Sequence, residues 1–212
     1  FSFMINLTEL HKVPLTQDLK RKAYNSLNFL FQCQDEKSGN LPNYGANDGA
    51  LFFNLSNAEY RDYRPQLNTL HITLTGENLY ENVFLFEDVN WFGLNTINKK
   101  FKPLVKKQGL LSFDDGGYYL IREKNSLSFL RAGNHIDRPS QADNLHFDLW
   151  IDGVNVLRDA GSFKYNTDEA SLNYFVGTAS HNTVMINGGD QMLKGSRFIW
   201  YYWSQVQDVV LN

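Results

Sequence analysis

The chain has 212 residues, 42% hydrophobic and 20% charged, with a formal net charge of −3. That balance excludes an intrinsically disordered chain, no apolar run is long enough for a membrane helix, and a mildly acidic protein lacks the basic stripe of a nucleic-acid binder. Cys33 stands alone, so no disulfide forms within the chain and cysteine usage leaves the compartment open.

In chain order, Pro14-Leu15-Thr16 predicts a helix start with Thr16 as the cap. Leu19, Ala23, Leu27, Leu30 and Phe31 follow at helical spacing through about Gln34. A second helix is expected after Arg64-Pro65, with Leu67, Leu70, His71 and Leu74 on one face and Gly76 near its end. A third helical run covers Leu79 to Trp91. Between the first two lies Leu41-Pro-Asn-Tyr-Gly-Ala-Asn-Asp-Gly-Ala50, whose proline and two glycines forbid a regular element. It is an ordinary connection or a binding loop.

Beyond about Lys102 the period changes. Residues 109–113, 118–122, 127–132, 145–151, 154–158, 182–186 and 198–210 all have strand character, and Asp114-Asp-Gly-Gly117 and Asn187-Gly-Gly-Asp190 mark turns. Helices first and strands afterwards predict an α+β chain of two segregated regions, 1–100 and 101–212, joined near Asn98–Lys107.

The second region is organised by Arg138 to Gly161, which predicts a β-hairpin turning at Asp152-Gly153. Leu145, Phe147, Leu149 and Ile151 alternate with Asn144, His146, Asp148 and Trp150. The apolar set is expected to face the core and His146 to face away. Gln141 and Asp143 share the apolar parity, and Asp159 shares that of Leu157, so all three are expected to point inward. Buried polar groups must be paired. They form a structural network or a site.

Among the five histidines, His11 and His71 have helical context and are expected to be surface or packing residues. His135, in the loop before the hairpin, and His181, opening the run Ser180-His-Asn-Thr-Val184, are the candidates for chemistry. Zinc accepts imidazole and carboxylate, so Asp159 and His181 are candidate ligands, whereas the amide of Gln141 is a poor third. No nucleophile elbow, phosphate loop or His-Glu-x-x-His is present.

Taken together, Arg138-Pro-Ser-Gln-Ala-Asp143, Asp159-Ala-Gly161 with Tyr165, Tyr174-Phe175, Ala179-Ser-His-Asn-Thr-Val184 and Asp190-Gln191 resemble the heparinase II/III-like family of polysaccharide lyases. The loop 41–50 and Asp62-Tyr-Arg-Pro65 extend the resemblance over about Asn40 to Gln191. It implies the last helices of an incomplete α/α toroid over 1–100, followed by an antiparallel β-sandwich, with the active cleft between them. Most of the toroid and the end of the sandwich would lie outside these residues, so a piece of a longer bacterial enzyme is expected, inactive alone. A periplasmic or extracellular location, an acidic polysaccharide as partner, and neither nucleic acid nor membrane span are also implied.

The implied reaction is β-elimination from a uronic acid. A weakly acidic proton beside the carboxylate is removed and the 4-linked oxygen leaves, so the carboxylate must first be neutralised and acid–base groups supplied. The resemblance implies His181, Tyr44 and His135 for proton transfer, and Asn43, Asn47, Asp48, Arg138, Gln141 and Asn182 for substrate binding. Many family members carry His-x-His-x-Asp where this chain has Pro139-Ser-Gln-Ala-Asp143. Gln141 thus replaces the third zinc ligand beside Asp159 and His181, and the expected substrate is a bacterial exopolysaccharide or a glycosaminoglycan-like chain, the former in preference to heparin. The rival readings are a non-catalytic carbohydrate-binding β-sandwich and a purely structural one.

Overall fold

The computed structural model describes residues 1–47, 49–81, 87–94, 100–164 and 166–211. They form two compact units: residues 1–41 with 51–107, and residues 42–50 with 108–212. The chain is therefore not cut once near residue 100. The loop 42–50 leaves the helical unit between two helices and packs with the sheet.

The helical unit comprises α1 (Ser2–Leu10), α2 (Gln17–Cys33), α3 (Arg64–Thr75) and the single turn α4 (Asp88–Trp91). Thr16 caps α2 as expected, its hydroxyl accepting from the Leu19 N–H at 3.3 Å. Pro65 opens α3, and Gly76 closes it in the left-handed region (φ 77°). The apolar stripes meet in one core of Ile5, Ala23, Leu27, Phe31, Leu67, Leu70 and Leu79. His71 is buried against this packing with Nδ1 2.8 Å from the Glu77 carbonyl, a packing residue as expected. Of the third predicted helix only Asp88–Trp91 is helical among the described residues, and residues 82–86 lie outside them. α1 was not predicted. Its first turn has no side-chain cap and carries no acidic residue, so it lacks a start signal.

In the second unit β1 (Gly109–Phe113), β2 (Tyr118–Arg122), β3 (Ser126–Arg131), β4 (Phe147–Ile151) and β5 (Val154–Leu157) form a five-stranded antiparallel sheet in chain order. The turn between β4 and β5 takes positive φ at Asp152 (52°) and Gly153 (84°), as the Asp-Gly pair requires. Two expected strands are absent. Residues 182–186 run as turn and coil with one bridge, Ile186 to Gly189, and from 198–210 only Trp200–Tyr201 (β7) pairs, with Leu193–Lys194 (β6). α5 (Glu169–Val176), capped by Asp168, was not expected.

The parity predicted for β4 is reversed. Leu120 of β2, Phe129 of β3 and Asp148 of β4 are register partners, so they share one sheet face. That face is the buried one: Leu120, Leu127, Phe129, Asp148 and Trp150 are 3% exposed or less, and His146, just before β4, is fully buried. Leu149 is only half-buried, while Ile151 and Val154 are exposed. Leu145 adds to the break by adopting positive φ (63°) where an extended residue was expected.

Candidate functional site

The buried centre of the sheet unit is built from polar residues. Gln141, Asp143, Asn144, His146, Asp148, Asp159 and His181 are all buried. Asp159 follows β5, and its Oδ1 accepts from the Gly161 N–H at 2.6 Å, turning the chain back. Its Oδ2 lies 2.7 Å from His181 Nδ1 and 3.4 Å from His146 Nδ1. The 178–191 loop is stitched over this centre by side chains. Thr178 N–H donates to Asp190 (2.8 Å), Gln191 N–H to Thr178 Oγ1 (2.9 Å), and Gln191 Nε2 to the Asn144 carbonyl (2.8 Å). His181 and Asp159 therefore meet as expected, but at a turn rather than a strand start.

The third member of this cluster is His146, not Gln141. Ligand atoms of His146, Asp159 and His181 all lie within 4.8 Å of one another, and all three residues are buried. Among the described residues, neither nitrogen of His146, nor Nε2 of His181, has a hydrogen-bond partner. Buried imidazoles without partners fit a metal, and two imidazoles with a carboxylate form a set that zinc accepts. Gln141 is spent elsewhere: its Nε2 reaches the Gly161 carbonyl (3.5 Å) and the Phe175 carbonyl (3.3 Å), fixing backbone. His146 was missed because its hydrophilic parity signalled solvent. The available signal was Leu127 and Phe129 on β3, which must share a face with its strand mates.

Beside this cluster lies a cavity of about 300 Å³, whose walls include Tyr44, Arg131, His135, Arg138, Gln141 and Asp143. Tyr44 packs edge-on to Tyr118 at 6.0 Å between ring centres and lies 6.1 Å from the His146 ring. Burial first, and the negative charge of Asp143 next, push its phenol well above the usual tyrosine range, while Arg131 pulls the other way. Burial, then Arg131, lowers the His135 imidazole below its ordinary value. Asp143 is pushed up to about 6, mainly by burial. The cavity thus joins a phenol held protonated to an imidazole held neutral.

The other expected site residues are distributed around these two features. His181 belongs to the buried cluster rather than to the cavity wall. Asn47 Nδ2 donates to Asn43 Oδ1 (3.2 Å), and Asn47 Oδ1 accepts from the Gly49 N–H (3.1 Å), so both shape the loop that carries Tyr44. Asp48 lies outside the described residues. Arg138 is exposed, donates to the Phe198 carbonyl (3.0 Å) and stacks over its ring. Asn182 is half-buried; its carbonyl accepts from the Phe147 N–H (2.9 Å), and its Nδ2 is buried without a partner among the described residues.

Arg131, at the end of β3, was not foreseen. Gly133 makes room for it: a Cβ there would stand 2.1 Å from the guanidinium, and one on Gly117 would stand 2.4 Å from the Ala132 carbonyl. Asn144 holds Gly133 on both sides, accepting its N–H (3.3 Å) and donating to its carbonyl (3.0 Å). An arginine two residues before a glycine at a strand end was the only hint in the sequence.

The pattern of the family "Heparinase II/III-like, C-terminal" matches residues 105–209. Among solved structures, a mutant heparan sulfate lyase HepC from Pedobacter heparinus shares the fold at TM-score 0.59 and 19% identity, over 89% of this chain and 28% of that one. A heparinase III structure gives TM-score 0.56 and 18% identity, over 93% and 32%. The heparinase III BT4657 gene product with methylated lysines gives 0.53 and 16%, over 77% and 23%. The chain thus spans a quarter to a third of the length of these structures. No curated protein sequence matches it. No helix among the described residues is long and apolar enough to cross a membrane. Residues 105–209, which carry the sheet, the histidine–aspartate cluster and most of the cavity wall, belong to the heparinase II/III-like C-terminal family.

Proposed function

We propose that this chain is part of a polysaccharide lyase that cleaves a uronic-acid-containing polysaccharide by β-elimination. The observation that carries the reading is the cavity, where Tyr44, His135, Gln141 and Arg131 converge within a unit whose family includes such enzymes. In this reading His135, neutral by virtue of its lowered pKa, removes the proton beside the sugar carboxylate. Tyr44, protonated at neutral pH, donates to the departing 4-linked oxygen. The unpaired Oε1 of Gln141, a residue of the cavity wall, is a further polar group for a sugar to engage. The enzyme as a whole would combine this sheet unit with the remainder of a helical toroid and a β-sandwich, act outside the cytoplasm, and take a bacterial exopolysaccharide in preference to heparin.

His146, Asp159 and His181 would hold a zinc ion, which when bound would clamp three separate segments of the chain. Elemental analysis of the purified protein checks this, with about one zinc per chain as the expected result.

The lyase reading is tested by mixing the intact protein with acidic polysaccharides and following the ultraviolet band of an unsaturated uronate. New absorbance that falls at least a hundredfold in Tyr44→Phe and His135→Ala, about the range of one general acid or base, supports it. Binding without new absorbance replaces it with a carbohydrate-binding module.

A further inference from the structure

Arg131 stands out among the charged groups because it is buried and no carboxylate among the described residues pairs with it. The residue is 6% exposed, and Nε and Nη1 have no hydrogen-bond partner among the described residues. Nη2 makes one long bond, 3.4 Å, to the Asn134 carbonyl, and the Tyr118 ring lies 5.3 Å away. No carboxylate among the described residues forms an ion pair with it. A guanidinium withdrawn from water without an anion is strongly unfavourable. Its fork of N–H groups matches the two oxygens of a carboxylate or sulfate.

The acids of the cavity wall do not fill that role. Asp115 and Asp137 are exposed and therefore screened by water. Asp143 is buried but forms no ion pair with Arg131 among the described residues. Arg138, the other arginine of the wall, is exposed and already engaged by Phe198. That leaves Arg131 as the buried cation of the cavity with donors to spare, held open by the missing side chain of Gly133.

We propose that Arg131 seats an oxyanion of the bound sugar, carboxylate or sulfate ester, an assignment that rests on the reading of the ligand as an acidic polysaccharide. The site selects for a negatively charged sugar ring at one position of the chain that enters the cavity. It also places that charge beside Tyr44, whose phenol already feels the guanidinium.

Calorimetric titration of the intact protein with three probes tests this. The probes are an unsulfated glucuronate tetrasaccharide, its carboxyl-reduced counterpart and a sulfated neutral tetrasaccharide. Arg131→Met should weaken one of the two anionic probes about tenfold or more, the loss of a charge-assisted hydrogen bond, with Arg131→Lys intermediate. Binding of the carboxyl-reduced probe should be unchanged. Loss confined to the glucuronate probe assigns a carboxylate, and loss confined to the sulfated probe assigns a sulfate. Equal loss for charged and neutral probes, or no binding of any probe, overturns the proposal. Should Arg131→Met fail to fold, the Nε–Hε resonance of Arg131 in the wild-type protein decides. It shifts at saturation with the anionic probe, or, unmoved, it sinks the assignment. Unsaturated product formed undiminished by Arg131→Met leaves the lyase reading intact and rejects the role of Arg131. Arg131-dependent binding without product does the reverse.

Discussion

The two units arrange their buried polar residues differently. The helical unit closes over an apolar core of Leu27, Phe31, Leu67 and Leu70 and also buries Gln32, Asp62, Asn68, His71 and Asp88. The sheet unit encloses Gln141, Asn144, His146, Asp148, Asp159 and His181 as well as Leu120, Leu127 and Phe129. An apolar core needs only volume and patterning, and tolerates imperfect fit at modest cost. A buried polar centre stands or falls as a network, because each orphaned group carries its full desolvation penalty. The difference teaches where specificity is invested in this molecule. Chemistry-bearing groups are concentrated where their misplacement is most costly.

Breaking the polar centre should have the largest effect. Asp159→Ala removes the acceptor for the Gly161 N–H and for His181, and is expected to cost about 3–5 kcal/mol in denaturant unfolding. A chelator should lower the thermal midpoint of the wild-type protein and leave that of Asp159→Ala unchanged. Equal response of both proteins would remove the metal from the account. In the apolar core, Leu27→Ala should cost about 3 kcal/mol through the cavity it leaves, with no change in the chelator response. A cost for Asp159→Ala below that of an ordinary surface substitution would erase the contrast between the units.

A buried carboxyl of the helical unit sharpens the comparison. Asp88 is buried, accepts from the Thr69 hydroxyl, and is pushed up to about 6, chiefly by burial. Its folded value lies above the ordinary 3.8, so the folded state binds the proton more tightly. The resulting stability is fully present below about pH 4 and lost as pH rises through about 6, on the order of 2–3 kcal/mol. Asp88→Asn should flatten that part of the stability–pH profile, and an unchanged slope would contradict the assignment. The smallest effect is expected at the rim of the same unit. Thr16→Ala removes the α2 cap and should cost about 1 kcal/mol in the same unfolding measurement.

The same contrast explains what could be read from the sequence. α2 and α3 were legible because their stripes, the Thr16 cap, Pro65 and Gly76 all agree with the final packing. β1 to β3 and the Asp152-Gly153 turn were legible for the same reason. The hairpin strand β4 was found, but its faces were exchanged. Hydropathy assigns Leu149 and Ile151 to the inside, whereas the inside here is satisfied by Asp148 and Trp150 next to His146. Pairing with β3, invisible in one strand alone, decides the matter. For the site, the meeting of Asp159 with His181 and the burial of Gln141 were legible. His135 and Tyr44, named for proton transfer on the strength of the resemblance alone, both line the cavity. His146 and Arg131 were not legible, since nothing local distinguishes a buried histidine or arginine in a strand from an exposed one.

The paired glycines behind Arg131 carry a consequence for how preference among sugars can change. Gly117 and Gly133 press bare backbone together, and the guanidinium occupies the space a side chain at 133 would take. Alanine at that position would displace the guanidinium without itself lining the wall, so, with Arg131 assigned to the sugar's anion, the choice of ligand can be retuned from a residue off the cavity wall.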